Sequence, residues 1–168
     1  MDEYNYTAYR DIYELYGEYV YRFLLCLASS HQIAEELTQE TFYQAVKSIR
    51  RYNGTCKMSV WLCQIAKHVY YDYLKREKYR RHVSLDDMDV IDNELPEEVY
   101  ITKETVTEIW REINKLEDSY REVLICRVNH DMSFKEIGVV MGKSENWARV
   151  TYYRAKKKLE ERIKSYDD

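Results

Sequence analysis

Residues 133–159, SFKEIGVVMGKSENWARVTYYRAKKKL, gather cationic, amide and aromatic side chains at helical spacing. Asn146, Arg149 with Val150, Tyr153 and Lys157 fall at offsets 0, 3–4, 7 and 11, with Trp147 and Arg154 at their flanks. Those offsets are one face of a helix with 3.6 residues per turn. Guanidinium and ammonium groups hold phosphate, and Arg and Asn match base edges, so the chemistry of this face is DNA recognition. Ala148, Tyr152, Ala155 and Leu159 form the opposite, inward face. Ahead of them Ser133 and Glu136 have the spacing of a capping box, in which hydroxyl and carboxylate satisfy free backbone N–H groups reciprocally. Phe134, Ile137, Gly138 and Met141 line one side of a short helix, Gly142 can end it in a left-handed conformation, and Ser144 can cap the next. Gly138 costs about 1 kcal/mol of helix propensity against Ala, which a close helix crossing would explain. A short helix, a glycine turn and a capped second helix make helix-turn-helix geometry. The competing reading is an ordinary helical hairpin with a lysine-bearing surface.

A second constellation lies upstream. Gln64, Lys67, His68, Tyr71, Lys75 and Lys78 share one helical face. Cations mixed with an imidazole and a phenol suit phosphate contact plus base stacking. The helix that carries them starts near Met58 or Ser59, after the break Asn53-Gly54-Thr55, with Trp61, Leu62, Ile65, Val69, Tyr70 and Tyr73 inward. Before the break, HQIAEELTQETFYQAVKSIRRY has an apolar set of Ile33, Leu37, Thr41, Phe42, Ala45 and Ile49. Glu35, Glu36, Gln39 and Glu40 stand on its other side. A first helix has a broad stripe from Tyr9, Ile12, Tyr13 and Tyr16 through Tyr19, Val20, Phe23, Leu24 and Leu27. Ser29 and Ser30 can cap the helix that follows it.

The net charge of -4 conceals strong segregation. Residues 1–46 carry -6, 47–81 carry +8, 82–103 carry -6, and 104–168 balance to 0. Local Lys and Arg clusters, not the global balance, set the attraction to phosphate. The acidic stretch 82–103 contains the one proline, Pro96, and lacks a clean helical period, so it reads as a linker. Two helical domains, 1–81 and 104–168, are therefore expected on either side. With four Gly, one Pro and 33% charged residues, the fold class is all-α.

Other classes find little support. No apolar run approaches the roughly 20 residues of a membrane span, and the acidic, polar N-terminus does not resemble a secretory signal. Cys26, Cys56, Cys63 and Cys126 form no C-x-x-C pair, which points to reduced cysteines in a cytoplasmic protein. The four His, at 31, 68, 82 and 130, are scattered, and no phosphate loop, zinc-protease helix or nucleophile elbow occurs. Neither a catalytic residue, a metal nor a cofactor is expected. A protein-interaction adaptor remains a further alternative.

Two blocks then resemble the sigma-70 family of RNA polymerase sigma factors, of the extracytoplasmic-function (ECF) type or a close specialised relative. IAEELTQETFYQAVKSIRRYNGTCKMSVWLCQIAKHVYYDYLKRE is similar to the family's region 2, and residues 133–159 to its region 4. Both blocks, in this order, are more specific than a helix-turn-helix alone. The resemblance implies an alternative sigma factor that binds core polymerase, through the β′ clamp helices and the β flap, and directs it to promoter DNA. Docking on the clamp helices would fall to Glu35, Glu36, Gln39 and Glu40. Opening of the -10 element and capture of its bases would fall to Tyr52, Asn53, Gly54, Lys57, Met58, Trp61, Lys67, His68, Tyr71 and Lys75. Reading of the -35 element would fall to Ser144, Asn146, Trp147, Arg149, Val150, Tyr153, Arg154 and Lys157. An anti-sigma protein is a partner that the resemblance allows and no motif requires. Three features depart from the family: His68 stands where many members have Asn, Leu116-Glu117 replaces a Leu-Pro entry, and Ala148 replaces a common Val. Without polymerase, the C-terminal block alone would read as a stand-alone helix-turn-helix regulator.

Overall fold

A computed structural model describes residues 3–83 and 103–164, with the side chains of 9–80 and 108–164. Among the described residues there are helices and turns and no strand, in keeping with an all-α chain. The chain divides into two compact units, Met1–Glu94 and Leu95–Asp168. Most of the acidic stretch expected to link them lies outside the described residues; its ends are occupied by the last turn of one helix and the first residue of another.

The first unit packs three helices against one another, α1 (Glu3–Ala28), α2 (His31–Ser48) and α3 (Met58–Val83). The chain turns between α1 and α2 at Ser29, whose φ of 52° lies in the left-handed region. Ser30 then caps α2, its Oγ accepting from the Ile33 N–H at 3.4 Å. The apolar stripe of α1 places Val20, Phe23, Leu24 and Leu27 in the core. Leu37, Phe42 and Ala45 meet them from α2, and Val60, Leu62, Cys63 and Ala66 from α3. The Phe42 ring takes the Tyr13 ring edge-on at 4.9 Å and the Tyr9 ring at 6.3 Å. Burial, and then the neighbouring Tyr13 phenol, raises the Tyr9 pKa above its ordinary 10.0. Thr38 and Thr41 are buried, and each hydroxyl donates to the carbonyl four residues back at 2.7 Å, so neither hydroxyl is stranded. The Tyr70 hydroxyl donates to the Leu27 carbonyl at 3.0 Å and ties α3 to α1. Tyr13, expected inward, is 39% exposed: its ring meets Phe42 edge-on, stacks on Tyr9 at 5.8 Å and lines the groove between α1 and α2.

The second unit contains α4 (Lys103–Asn114), α5 (Asp118–Leu124), α6 (Phe134–Met141) and α7 (Glu145–Lys164). Helix α5 runs on into a π turn, Ile125–Asn129. Helix α7 packs on α4, α5 and α6. Leu116, Leu124 and Ala155 form a buried cluster beneath Ile113, Tyr120, Tyr152 and Leu159. Glu112 is buried, a placement that is costly for an unpaired carboxylate. It is paired twice, with Lys115 of the following turn at 2.6 Å and with Arg162 of α7 at 3.5 Å.

Candidate nucleic-acid interface

The helix-turn-helix is built by local signals. Ser133 Oγ accepts from the Glu136 N–H at 3.2 Å, and the Glu136 carboxylate accepts from the Ser133 N–H at 2.8 Å. Gly142 ends α6 with φ 62°, ψ 36°. Ser144 Oγ accepts from the Trp147 N–H at 3.1 Å and caps α7. The expected reason for Gly138 needs correction. A Cβ there would lie 2.8 Å from the Lys143 carbonyl oxygen and 3.1 Å from the Ser144 carbonyl carbon. The backbone of the turn and the start of α7, whose Glu145 N would lie at 3.2 Å, demand the glycine, so the close approach is to the end of the next helix rather than to a crossing along its length.

Helix α7 then separates its faces. Ala148, Thr151 and Ala155 are buried, while Ser144, Asn146, Arg149, Val150, Tyr153, Arg154 and Lys157 are exposed and Trp147 is half-buried. The -35 candidates therefore share one solvent face. Thr151 was missed as a core position because its type is polar. Arg149 is held from two sides: its Nη2 donates to the Glu145 carboxylate at 2.8 Å, and its guanidinium lies 5.4 Å from the Phe134 ring centre. The Arg127 guanidinium lies 5.1 Å from the same ring, and its Nη1 donates to the Met132 carbonyl at 2.7 Å. Sequence reasoning passed over Glu145 and Phe134 in this role, although the i,i+4 spacing of Glu145 and Arg149 signals the pair. The lysine run divides. Lys158 pairs with Glu117 at 3.1 Å and lies 4.7 Å over the Tyr120 ring, so it faces α5. Lys156 and Lys157 stand on the exposed side, at 3.8 and 3.9 Å from Glu160 and Glu161.

In the first unit the -10 candidates come from a loop and a helix. A 3-10 turn, Ile49–Arg51, leads from α2 into the loop. The Tyr52 hydroxyl donates to the Cys56 carbonyl at 2.6 Å, and Asn53 Oδ1 accepts from both the N–H and the hydroxyl of Thr55. Gly54, at φ 72°, closes this turn in a conformation that disfavours any side chain. The Tyr52 and Trp61 rings are 5.2 Å apart and tilted by 44°, and both are half-buried. Trp61 is thus neither wholly core nor wholly surface. Lys57 is exposed and Met58 half-buried. Lys67 Nζ lies 5.7 Å over the Tyr71 ring, and His68 and Lys75 are exposed, with Lys75 3.5 Å from Asp72. Asn53 and Gly54 are in the loop turn, whereas Lys67, His68, Tyr71 and Lys75 lie further along α3.

The acidic set occupies the solvent face of α2. Glu35, Glu36 and Gln39 are exposed; Glu40 is half-buried, accepting from Gln44 Nε2 at 2.6 Å. A groove between α2 and α3 is lined by Glu40 and Gln44 on one side and by His68, Asp72, Lys75 and Arg76 on the other. Sequence reasoning also passed over Tyr43, whose exposed ring carries Lys47 Nζ at 4.1 Å. Among the described residues no cluster of His, Cys, Asp or Glu could hold a metal, and no helix is long and apolar enough to cross a membrane.

Comparison with known proteins bears directly on these two units. Residues 12–80 match the family model Sigma-70 region 2, and residues 107–159 match Sigma-70, region 4. The chain is 32% identical to ECF RNA polymerase sigma factor SigM of Bacillus subtilis, over 89% of this chain and 91% of that one. It is 28% identical to ECF RNA polymerase sigma factor SigX of the same organism, over 88% and 79%. Its fold is similar to that of the sigma factor RpoE of Bartonella quintana, solved with the anti-sigma factor NepR. That likeness has a TM-score of 0.77 at 18% identity and covers 94% of this chain and 97% of that one. A second likeness is to CnrH in complex with the cytosolic domain of CnrY, with a TM-score of 0.68 at 16% identity, over 95% and 89%. The capped helix-turn-helix, the acidic α2 and the loop before α3 therefore have a common explanation: the chain belongs to the sigma-70 family, as an ECF RNA polymerase sigma factor that directs transcription initiation.

Proposed function

We propose a division of this role between named surfaces. The exposed face of α2, Glu35, Glu36 and Gln39 with Glu40 at its edge, docks on core polymerase. Tyr52, Trp61 and the Asn53-Gly54 turn, with Lys67, His68 and Tyr71, open the -10 element and hold its extruded bases. Unstacking costs a few kcal/mol per base, and stacking on aromatic rings with phosphate contacts offsets it. The exposed face of α7 reads the -35 duplex. Residues 82–103 connect the two readers along the chain. The protein works in the cytoplasm, where polymerase is, and supplies recognition rather than a catalytic group. RpoE was solved with an anti-sigma factor. By extension, an anti-sigma protein covering the polymerase- and DNA-facing surfaces is a further partner of this chain.

The observation that carries this reading is the groove between α2 and α3, where Glu40 of the acidic set and His68 and Lys75 of the -10 set line one surface. Polymerase docking and strand capture would then rest on one small core. Permanganate footprinting of holoenzyme on a cognate promoter tests it. Trp61→Ala should keep polymerase binding and lose thymine reactivity in the -10 element by roughly tenfold or more, the loss of one stacking contact. Unchanged reactivity would contradict the assignment.

A further inference from the structure

We propose that Glu145 is a positioning residue for promoter specificity, acting through Arg149 to favour base edges over phosphates. The proposal rests on the reading that the exposed face of α7 meets the -35 duplex. Glu145 is the first residue of α7, where recognition helices approach base edges. Its carboxylate receives Arg149 Nη2 at 2.8 Å, while Phe134 lies 5.4 Å away from the same guanidinium. Both members of the ion pair remain half-exposed, at 49% and 53%. The guanidinium is therefore oriented yet open to a ligand.

Two ligands compete for Arg149. A phosphate is an anion and would have to share Arg149 with a carboxylate that repels it. A guanine edge presents neutral acceptors, O6 and N7, and can take the remaining guanidinium N–H donors while the Glu145 contact persists. The pair thus weakens contact with any DNA backbone more than contact with the right base, and specificity is that difference. Phe134 supplies the second constraint, because a stacked guanidinium loses less freedom when it binds. Its own ring is set by Tyr152 at 5.6 Å and by Arg127 on the other guanidinium contact.

The test uses holoenzyme reconstituted with bacterial core polymerase. Promoters come from run-off transcription on sheared genomic DNA, and each is paired with a copy whose -35 element is scrambled. The readouts are the ratio of affinities for the two fragments and the dependence of affinity on salt. Glu145→Gln should tighten binding to the scrambled fragment, lower the ratio on the order of tenfold, and steepen the salt slope by about one unit. In an Arg149→Ala background the same substitution should leave the ratio unchanged, which a purely structural role of Glu145 would not produce. If Arg149→Ala lowers the ratio and Glu145→Gln does not, the proposal is overturned and the α7 reading stands. If neither substitution changes the ratio, both fall.

Discussion

The two surfaces proposed to meet DNA are assembled in different ways. In the C-terminal unit the exposed face of α7 belongs to a single run of about 27 residues, and each boundary has its own local cause. A capping box starts α6, a left-handed glycine ends it, and a serine starts α7. In the N-terminal unit the corresponding surface draws on the loop after α2 and the length of α3. Its loop is fixed by contacts such as Tyr52 with Trp61, and α3 by Tyr70 with Leu27, 43 residues away. One reader is specified by short-range chemistry and the other by packing. Damage to the core should therefore disable the first unit's surface as a whole, whereas the second can be dismantled at single turns.

The largest expected effect sharpens that contrast. Phe42 is fully buried, and two tyrosine rings meet it edge-on. Phe42→Ala should cost about 3–5 kcal/mol. Unfolding followed by amide exchange should show the loss in α1 to α3, with both polymerase binding and -10 opening gone. Protection in α4 to α7 that falls equally would break the picture of two separately stabilised units.

Gly138→Ala comes next. Its new methyl group would press on the turn backbone at 2.8 Å. Overpacking of this kind costs about 1–3 kcal/mol, offset in part by the helix propensity of alanine. A lower melting temperature confined to the C-terminal unit, with loss of -35 discrimination and intact polymerase binding, is expected. If the variant keeps wild-type discrimination, the turn geometry is not what aims α7.

The smallest effect separates two neighbouring lysines. Lys157→Ala should lower the salt slope of DNA binding by about one unit. Lys158→Ala should leave that slope alone and cost at most about 1 kcal/mol of stability, because it breaks an exposed pair with Glu117. Equal slopes for the two variants would place Lys158 on the DNA face after all.

The same contrast explains what could be read from the sequence. Capping residues, the glycine stop and the offsets 0, 3–4, 7 and 11 are local patterns, so the exposed face of α7 was legible residue by residue. The acidic face of α2 was legible for a similar reason, as polar positions set against an apolar period. What escaped depends on tertiary contact. Thr151, Thr38, Cys63 and Ala66 are small or polar by type and are buried only because a neighbouring helix comes close. Lys158 looks like its neighbours in sequence, yet the turn of α7 points it at Glu117 and Tyr120. Gly138 invited a helix crossing, whereas the constraint is the chain's own turn and the start of α7.

The central claim, that α2 presents its acidic face to polymerase, is most directly tested by a pull-down with core RNA polymerase. Wild type would be compared with Glu36→Lys/Glu40→Lys after both are shown to fold. Retention of the wild type and loss of the charge-reversed protein, by tenfold or more in affinity, is the expected result. Equal retention of both would contradict it and move the docking surface elsewhere in the molecule.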